Sequence, residues 1–171
     1  QRKLSNDKFS IKKIDYFNTW SAPFVMAPAN TRVVRRSAAL LDMRQNGYGE
    51  RFVYNEFMEL KKYSTALLVS SSLVILGLIL SLPFRRLFRP LFTKPGNGPS
   101  QKTQDNGWFK SKFIIKTEDN KKYIAKMYGD GDPGYKSTAR FACESAMTLI
   151  EDNDRLEYQG GGVLTTAAAL G

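Results

Sequence analysis

Residues 63–84 read YSTALLVSSSLVILGLILSLPF, 22 positions without a charge between Lys62 and Arg85. About 20 residues at the helical rise cover a hydrocarbon core of roughly 30 Å, so this run is long enough to enter a bilayer. Its apolar content lies in Leu67, Leu68, Leu73, Val74, Ile75, Leu76, Leu78, Ile79 and Leu80, relieved only by small hydroxyl residues. A helix of this length inside a soluble protein normally keeps a polar face, and this one has none. Lys61 and Lys62 precede the run, and Arg85, Arg86 and Arg89 follow it. Such flanks suit long cationic stems that reach lipid headgroups while their methylenes stay in apolar surroundings. Immediately after, RRLFRPLF sets Leu87, Phe88, Leu91 and Phe92 among the arginines, the pattern of a short element lying in the membrane interface.

The rest of the composition narrows the chemistry. The chain of 171 residues carries a formal charge of +10, no histidine and one cysteine, Cys143. A thiolate or imidazole metal cluster, a His-based triad and an internal disulfide are therefore excluded. Between residues 85 and 126 there are eleven Lys and Arg against three acids. A basic flank beside an apolar segment serves anionic lipid better than nucleic acid, at about 1 kcal/mol per charge near the surface. The expected partners are membrane lipid and, where the chain belongs to a complex, other subunits; no metal and no nucleic acid are expected. Cys143 shares a helical face with Ala139, Ala142, Ala146 and Met147 and reads as a small buried hydrophobe. The chain starts at Gln1 without a leader pattern, which leads to the expectation of a fragment.

Outward from the apolar run, secondary structure follows from periodicity and punctuation. Lys12–Ala27 is aromatic-rich and broken by Pro23, a loop or short strand. TRVVRRSAALLDMRQ, residues 31–45, is an amphipathic helix with Asn30 as its cap and Gly47 past its end; Val33, Val34, Ala38, Leu40 and Leu41 face inward and Arg32, Arg35 and Arg36 outward. Arg35 and Arg36 are expected to be solvated or paired with Glu56 or Glu59. Arg51–Leu60 reads as a strand. Residues 94–106 are turn-rich, a linker. WFKSKFIIKTEDNKKYIAKMY, from Trp108, gives two strands joined through Glu118-Asp119-Asn120, and Tyr135–Ile150 is helical.

Residues 129–134, GDGDPG, satisfy the spacing GxGxxG between a predicted strand and a predicted helix. The physics of a dinucleotide site argues against that use: Asp130 and Asp132 would face a pyrophosphate, and Pro133 removes a backbone donor. A turn with Asp132 capping the following helix is the better structural reading, and a substrate-facing loop the better functional one.

Three ordered stretches, APFVMAPANTRVVRRSAALL (22–41), GDPGYKSTARFACESAMTLI (131–150) and GGGVLTTAAALG (160–171), resemble the C-terminal half of a saccharopine dehydrogenase-like oxidoreductase. YGERFVYNEFME (48–59) and GPSQK (98–102) are similar to that group as well. The resemblance implies an α+β domain that works beside a separate NAD(P)-binding Rossmann domain, here absent. Bacterial relatives include trans-acting enoyl reductases of lipid synthesis, and animal relatives associate with lipid droplets. The likeness also implies that Asp132, Gly134 and Tyr135 line the substrate side of the interdomain cleft. No catalytic or cofactor-binding residue is expected in this chain; NAD(P) belongs to the missing half.

The resulting expectation is an α+β fold, a small mostly antiparallel sheet with flanking helices, interrupted by one membrane-embedded hydrophobic helix or hairpin. Residues 1–62 form the first part of the substrate-type domain, 63–95 the membrane segment with its basic interfacial element, and 96–171 the second part of the same domain. If strands on both sides of the apolar run shared one sheet, a single crossing would separate them. Two half-helices hinged at Ser70–Ser72, or one straight helix resting on a partner's membrane domain, would resolve that conflict. The expected function is the membrane-anchored substrate domain of an NAD(P)-dependent reductase of lipidic or acyl substrates, inactive without its other half. The alternative is a non-catalytic accessory subunit of a membrane complex. Localisation is expected at a membrane: lipid droplet, endoplasmic reticulum, mitochondrial or plastid.

Overall fold

The structure, a computed structural model, describes residues 10–44, 47–49, 51–81, 96–158 and 160–171. Arg85, Arg86, Arg89 and the interfacial element around them lie outside the described residues. The chain divides into two compact units, one built from residues up to Phe92 together with Gly160–Ala169, the other from Thr93–Gln159.

The first unit is built on a three-stranded antiparallel sheet in the order β1-β2-β3, with β1 at Lys12–Ile14, β2 at Thr19–Pro23 and β3 at Phe57–Leu60. A 3-10 turn over Asp15–Phe17 joins the first pair, ended by Asn18 in the left-handed region at φ 50°. Ser21 and Ala22 are buried at the centre of β2. The Ser21 hydroxyl accepts from Lys12 N at 2.9 Å and donates to Lys12 O at 3.1 Å, so a buried polar atom is satisfied inside the sheet. The strand expected over Arg51–Leu60 is confined to its last four residues. Tyr54 and Glu56, which precede it, are taken up by side-chain bonds described below.

Helix α1 spans Ala27–Asp42, starting earlier than the sequence suggests because Pro28 fits the first turn, where no amide donor is needed. Asn30 is accordingly not a cap; its amide donates to Glu56 Oε2 at 2.9 Å. The inward face of α1 is small and partly polar: Thr31, Ser37, Ala38 and Leu41 are buried, while Val33 is 53% exposed. The Thr31 hydroxyl donates to Ala27 O at 2.7 Å, and the Ser37 hydroxyl shares a 2.7 Å bond with Thr165. Two arginines extend the attachment of the C-terminal segment to α1. Arg36 donates to Val163 O at 2.8 Å and Arg44 to Ala168 O at 2.5 Å, and Ala168, in the short helix α5 (Thr166–Leu170), is fully buried.

Helix α2 runs unbroken from Tyr63 to Ser81. Its first turns pack on β2 and β3, with Ala66 fully buried and the Tyr63 ring edge-on to Trp20 at 4.9 Å. Beyond that foot the helix is uncovered: Leu68 is 66% exposed, Val74 63% and Leu78 62%. The mean hydropathy of its apolar window is 2.0, which passes the length and composition test for a membrane-crossing helix. The hinge considered at Ser70–Ser72 does not form. Ser70 and Ser72 turn their hydroxyls back onto the carbonyls of Ala66 and Leu68, at 2.8 Å each, so their polarity is absorbed within an intact helix.

The second unit contains the short helix α3 (Gln101–Asp105), the hairpin β4 (Trp108–Lys116) with β5 (Lys122–Asp130), and α4 (Lys136–Glu151). Ser100 caps α3, accepting from Thr103 N at 3.2 Å. The hairpin turn works without the usual glycine because Asn120 takes the left-handed conformation at φ 62°, which asparagine tolerates. The strands before and after α2 therefore form two sheets rather than one, and the single-sheet conflict does not arise. Alternation along the hairpin sorts Phe109, Phe113, Ile115, Tyr123 and Met127 to one face. The Phe109 ring meets Phe141 of α4 edge-on at 6.3 Å. Cys143 is exposed, contrary to expectation: in α4 the side chain that is buried is Ser137, at the helix start, while Met147 and Ile150 are open. The apolar stripe on α4 is real, but a stripe shows which face can be covered, not that anything covers it.

Candidate functional site

The loop Asp130–Tyr135 leaves β5 and turns into α4. Gly131 makes the turn at φ 92°, a conformation that penalises any residue with a Cβ. Two backbone bonds fasten the loop to the end of α3: Gly131 N donates to Gly107 O at 2.7 Å, and Asp132 N to Gln104 O at 2.8 Å. Across the same junction Lys136 Nζ donates to Asp105 Oδ1 at 2.5 Å. That bond, aided by one from Gln101, holds the Asp105 carboxyl below the usual carboxylate range. A lowered folded value means the tie contributes above the ordinary carboxylate pKa and is lost as pH falls through the folded one.

Asp132 is taken up by the fold. Its Oδ2 accepts from Tyr135 N at 2.7 Å and its carbonyl from Ser137 N at 2.9 Å. The buried Ser137 hydroxyl donates toward the carbonyls of Asp130 and Gly131, at 3.2 Å each, and Thr138 donates to Pro133 O at 2.6 Å. The carboxylate thus sits where a helix start would otherwise offer amides to an anion. These residues do not fit a nucleotide pyrophosphate, and no step is assigned to one here.

Of the three predicted loop residues, Asp132 braces the turn before α4 but does not cap the helix, whose N-cap is Tyr135 with no side-chain capping bond; Gly134 is exposed, and Tyr135 presents a ring that is 53% exposed. That ring lies beside Gly98, where an added Cβ would come within 3.3 Å of it. A shallow depression lined by Lys102, Thr103, Asn106, Gly107 and Trp108 opens in the same unit. The depression itself offers a lysine, a threonine hydroxyl and an asparagine carboxamide for binding a polar group, and Tyr135 is not among its lining residues. Among the described residues no cluster of three or more His, Cys, Asp or Glu could hold a metal. Asp132→Ala is expected to cost about 1 kcal/mol because Tyr135 N loses its acceptor in the turn, and Asp132→Asn, which keeps an oxygen there, much less. Hydrogen exchange at the Tyr135 amide would rise roughly fivefold only in the alanine variant, and equal exchange in both would overturn this bracing role.

The first unit holds a polar cluster that sequence reasoning missed. Glu56 accepts from Tyr54 Oη at 2.8 Å through one oxygen and from Asn30 through the other. Arg35 donates to Tyr54 O at 3.3 Å, and Thr19 donates to Glu59 Oε1 at 3.0 Å. Arg35 and Arg36 both donate to backbone carbonyls, Tyr54 O and Val163 O. The spacing of Tyr54 and Glu56 two apart before a strand was the available signal, but Asn30 lies 26 residues away. Burial, and then Glu56, push the Tyr54 phenol above its ordinary value of 10.0. A raised folded value contributes stability that is complete below pH 10.0 and is lost as pH rises from there through the raised folded value. Tyr54→Phe should flatten the alkaline fall in stability, measured by urea unfolding at a series of pH values above neutrality; an unchanged profile would remove Tyr54 from that account.

No protein-family profile matches the chain, and no solved structure matches it. Among curated proteins, the chain is 42% identical over 163 residues to a protein of Mycobacterium tuberculosis (strain H37Rv) bearing the name of a trans-acting enoyl reductase. It is 40% identical over 161 residues to the trans-acting enoyl reductase of Mycobacterium bovis (strain BCG / Pasteur 1173P2), and 38% over 161 residues to that of Mycobacterium ulcerans (strain Agy99). Each match covers 89% of this chain and 37% of the relative, so the chain spans little more than a third of their length.

Proposed function

We propose that this chain is the substrate-side portion of an NAD(P)-dependent reductase of the saccharopine dehydrogenase-like group, acting on an acyl or lipidic substrate and held at a membrane by α2. The observation that carries the reading is the 42% identity, over 89% of the chain, to a relative named as a trans-acting enoyl reductase. Enoyl reduction delivers a hydride to one alkene carbon and a proton to the other, and the hydride comes from the nicotinamide. With Asp132 committed to α4 and the GDGDPG loop unsuited to pyrophosphate, this portion supplies positioning. Tyr135 is the polar side chain of the loop most open to a substrate.

The test uses the intact protein, assayed for oxidation of NADPH or NADH with an α,β-unsaturated acyl thioester, alongside its intact mass. Consumption of nicotinamide that requires the unsaturated substrate supports the reading. An intact protein no larger than this chain and silent with both nicotinamides overturns it.

The uncovered, all-round apolar α2 also favours a second reading, an accessory subunit whose helix packs on the membrane helices of a partner. Stoichiometric co-purification in detergent without reductase activity would select that reading; recovery as a lone monomer would reject it.

A further inference from the structure

We infer that one face of the β4–β5 hairpin is a docking surface for the anionic headgroups of a lipid bilayer, an inference that rests on the membrane reading of α2. The strand register sets Lys110, Lys112, Lys116, Lys122 and Lys126 on that face. Lys112 stands directly opposite Lys126, and Lys116 opposite Lys122. Like charges directly across a ladder destabilise an isolated hairpin, so such a register is suited to an external anion. From Lys110 to Lys126 no strand position on this face is acidic; the acids nearby are Glu118 and Asp119 in the turn, where Asp119 pairs with Lys121 at 2.7 Å, and Asp130 at the strand end.

The remaining positions of the face suit a membrane interface. Ile114 pairs with Ile124 between the lysine pairs, and Trp108 and Tyr128, each 62% exposed, stack at 6.2 Å at one end. Lysine stems over aliphatic side chains with an aromatic pair beside them match the chemistry of the headgroup region. A single-stranded nucleic acid would also meet lysines and aromatics, but it needs open ring faces for its bases. Here Trp108 and Tyr128 are the only aromatic side chains at the strand positions of this face and both stand at one end, so the lysines along it have no series of ring platforms for successive bases. The same chain carries the apolar α2, so a bilayer is the extended anionic surface most readily at hand.

The experiment is vesicle flotation of the full chain against a variant carrying Lys110→Gln, Lys116→Gln, Lys122→Gln and Lys126→Gln, on phosphatidylcholine alone and on phosphatidylcholine mixed with phosphatidylserine. Both proteins should bind neutral vesicles equally through α2. The gain on adding phosphatidylserine should be about 100-fold larger for the wild type than for the variant, which keeps the cations flanking α2, and this difference should vanish at high salt. Arginine at the same four positions should restore the gain, which separates lost charge from a misfolded hairpin. A glutamine variant whose anionic preference equals that of the wild type, a wild type that has none, or release of the wild type by a single-stranded oligonucleotide but not by anionic vesicles each overturns the inference. Failure of both proteins on neutral vesicles counts against α2 alone, because the phosphatidylserine comparison still reads the hairpin.

Discussion

A double variant, Val74→Asp with Leu78→Asp, should move the protein out of carbonate-washed membranes and into the soluble or aggregated fraction. Each aspartate near the middle of a membrane helix costs about 2.5–3.5 kcal/mol, so the pair removes roughly 5–7 kcal/mol of insertion free energy, more than three orders of magnitude in partition. The effect is separable from folding because the replaced side chains are 63% and 62% exposed and lie beyond the foot of α2. The contacts that hold the helix to the sheet, Tyr63 against Trp20 and the buried Ala66, are untouched. Far-UV circular dichroism in detergent should therefore match the parent. If the variant stays with the washed membranes, or if the parent is a stable monomer without detergent, α2 is not a membrane helix.

The second large effect falls on the other unit. Gly107→Ala places a Cβ 2.5 Å from Asp132 N and 2.6 Å from Asp132 Cα, which is backbone and cannot rotate away. The substitution must push apart the two strapping bonds, Gly131 N to Gly107 O and Asp132 N to Gln104 O. An overpacking cost near the upper end of its usual range, about 3 kcal/mol, is expected. The chain has two tryptophans, Trp20 in the first unit and Trp108 in the second. A Trp20→Phe background therefore reports denaturant unfolding of the second unit alone. Gly134→Ala is the contrast: its nearest neighbours are Asp132 carboxylate oxygens at 3.5 Å or more, and it should be close to neutral. A Gly107→Ala midpoint no lower than that of Gly134→Ala would mean the loop is not held through this contact.

These two variants mark what was legible in advance. The length and chargelessness of residues 63–84 were sufficient to place α2, since a membrane-length helix is a local property of composition. The hairpin was legible because alternation and turn chemistry are also local, although only the structure shows Asn120 in the left-handed position where glycine is usual. That Asp132 would engage the turn into α4 followed from its position, though it accepts from Tyr135 N rather than capping the helix. The seating of Gly107 against Asp132 did not, because it joins residues 25 apart in sequence through backbone atoms that have no sequence signature.

The sequence by itself determined an α+β chain, one antiparallel hairpin closed by a short turn, and one helix with no polar face. Tertiary structure alone decided that strands on either side of α2 form separate sheets, that Asn30 and Tyr54 converge on Glu56, and that Cys143 faces outward. The reason is physical: periodicity and turn residues act over a few positions, where local conformational preference suffices. Which face is covered, and by what, depends on contacts tens of residues apart that no local pattern encodes.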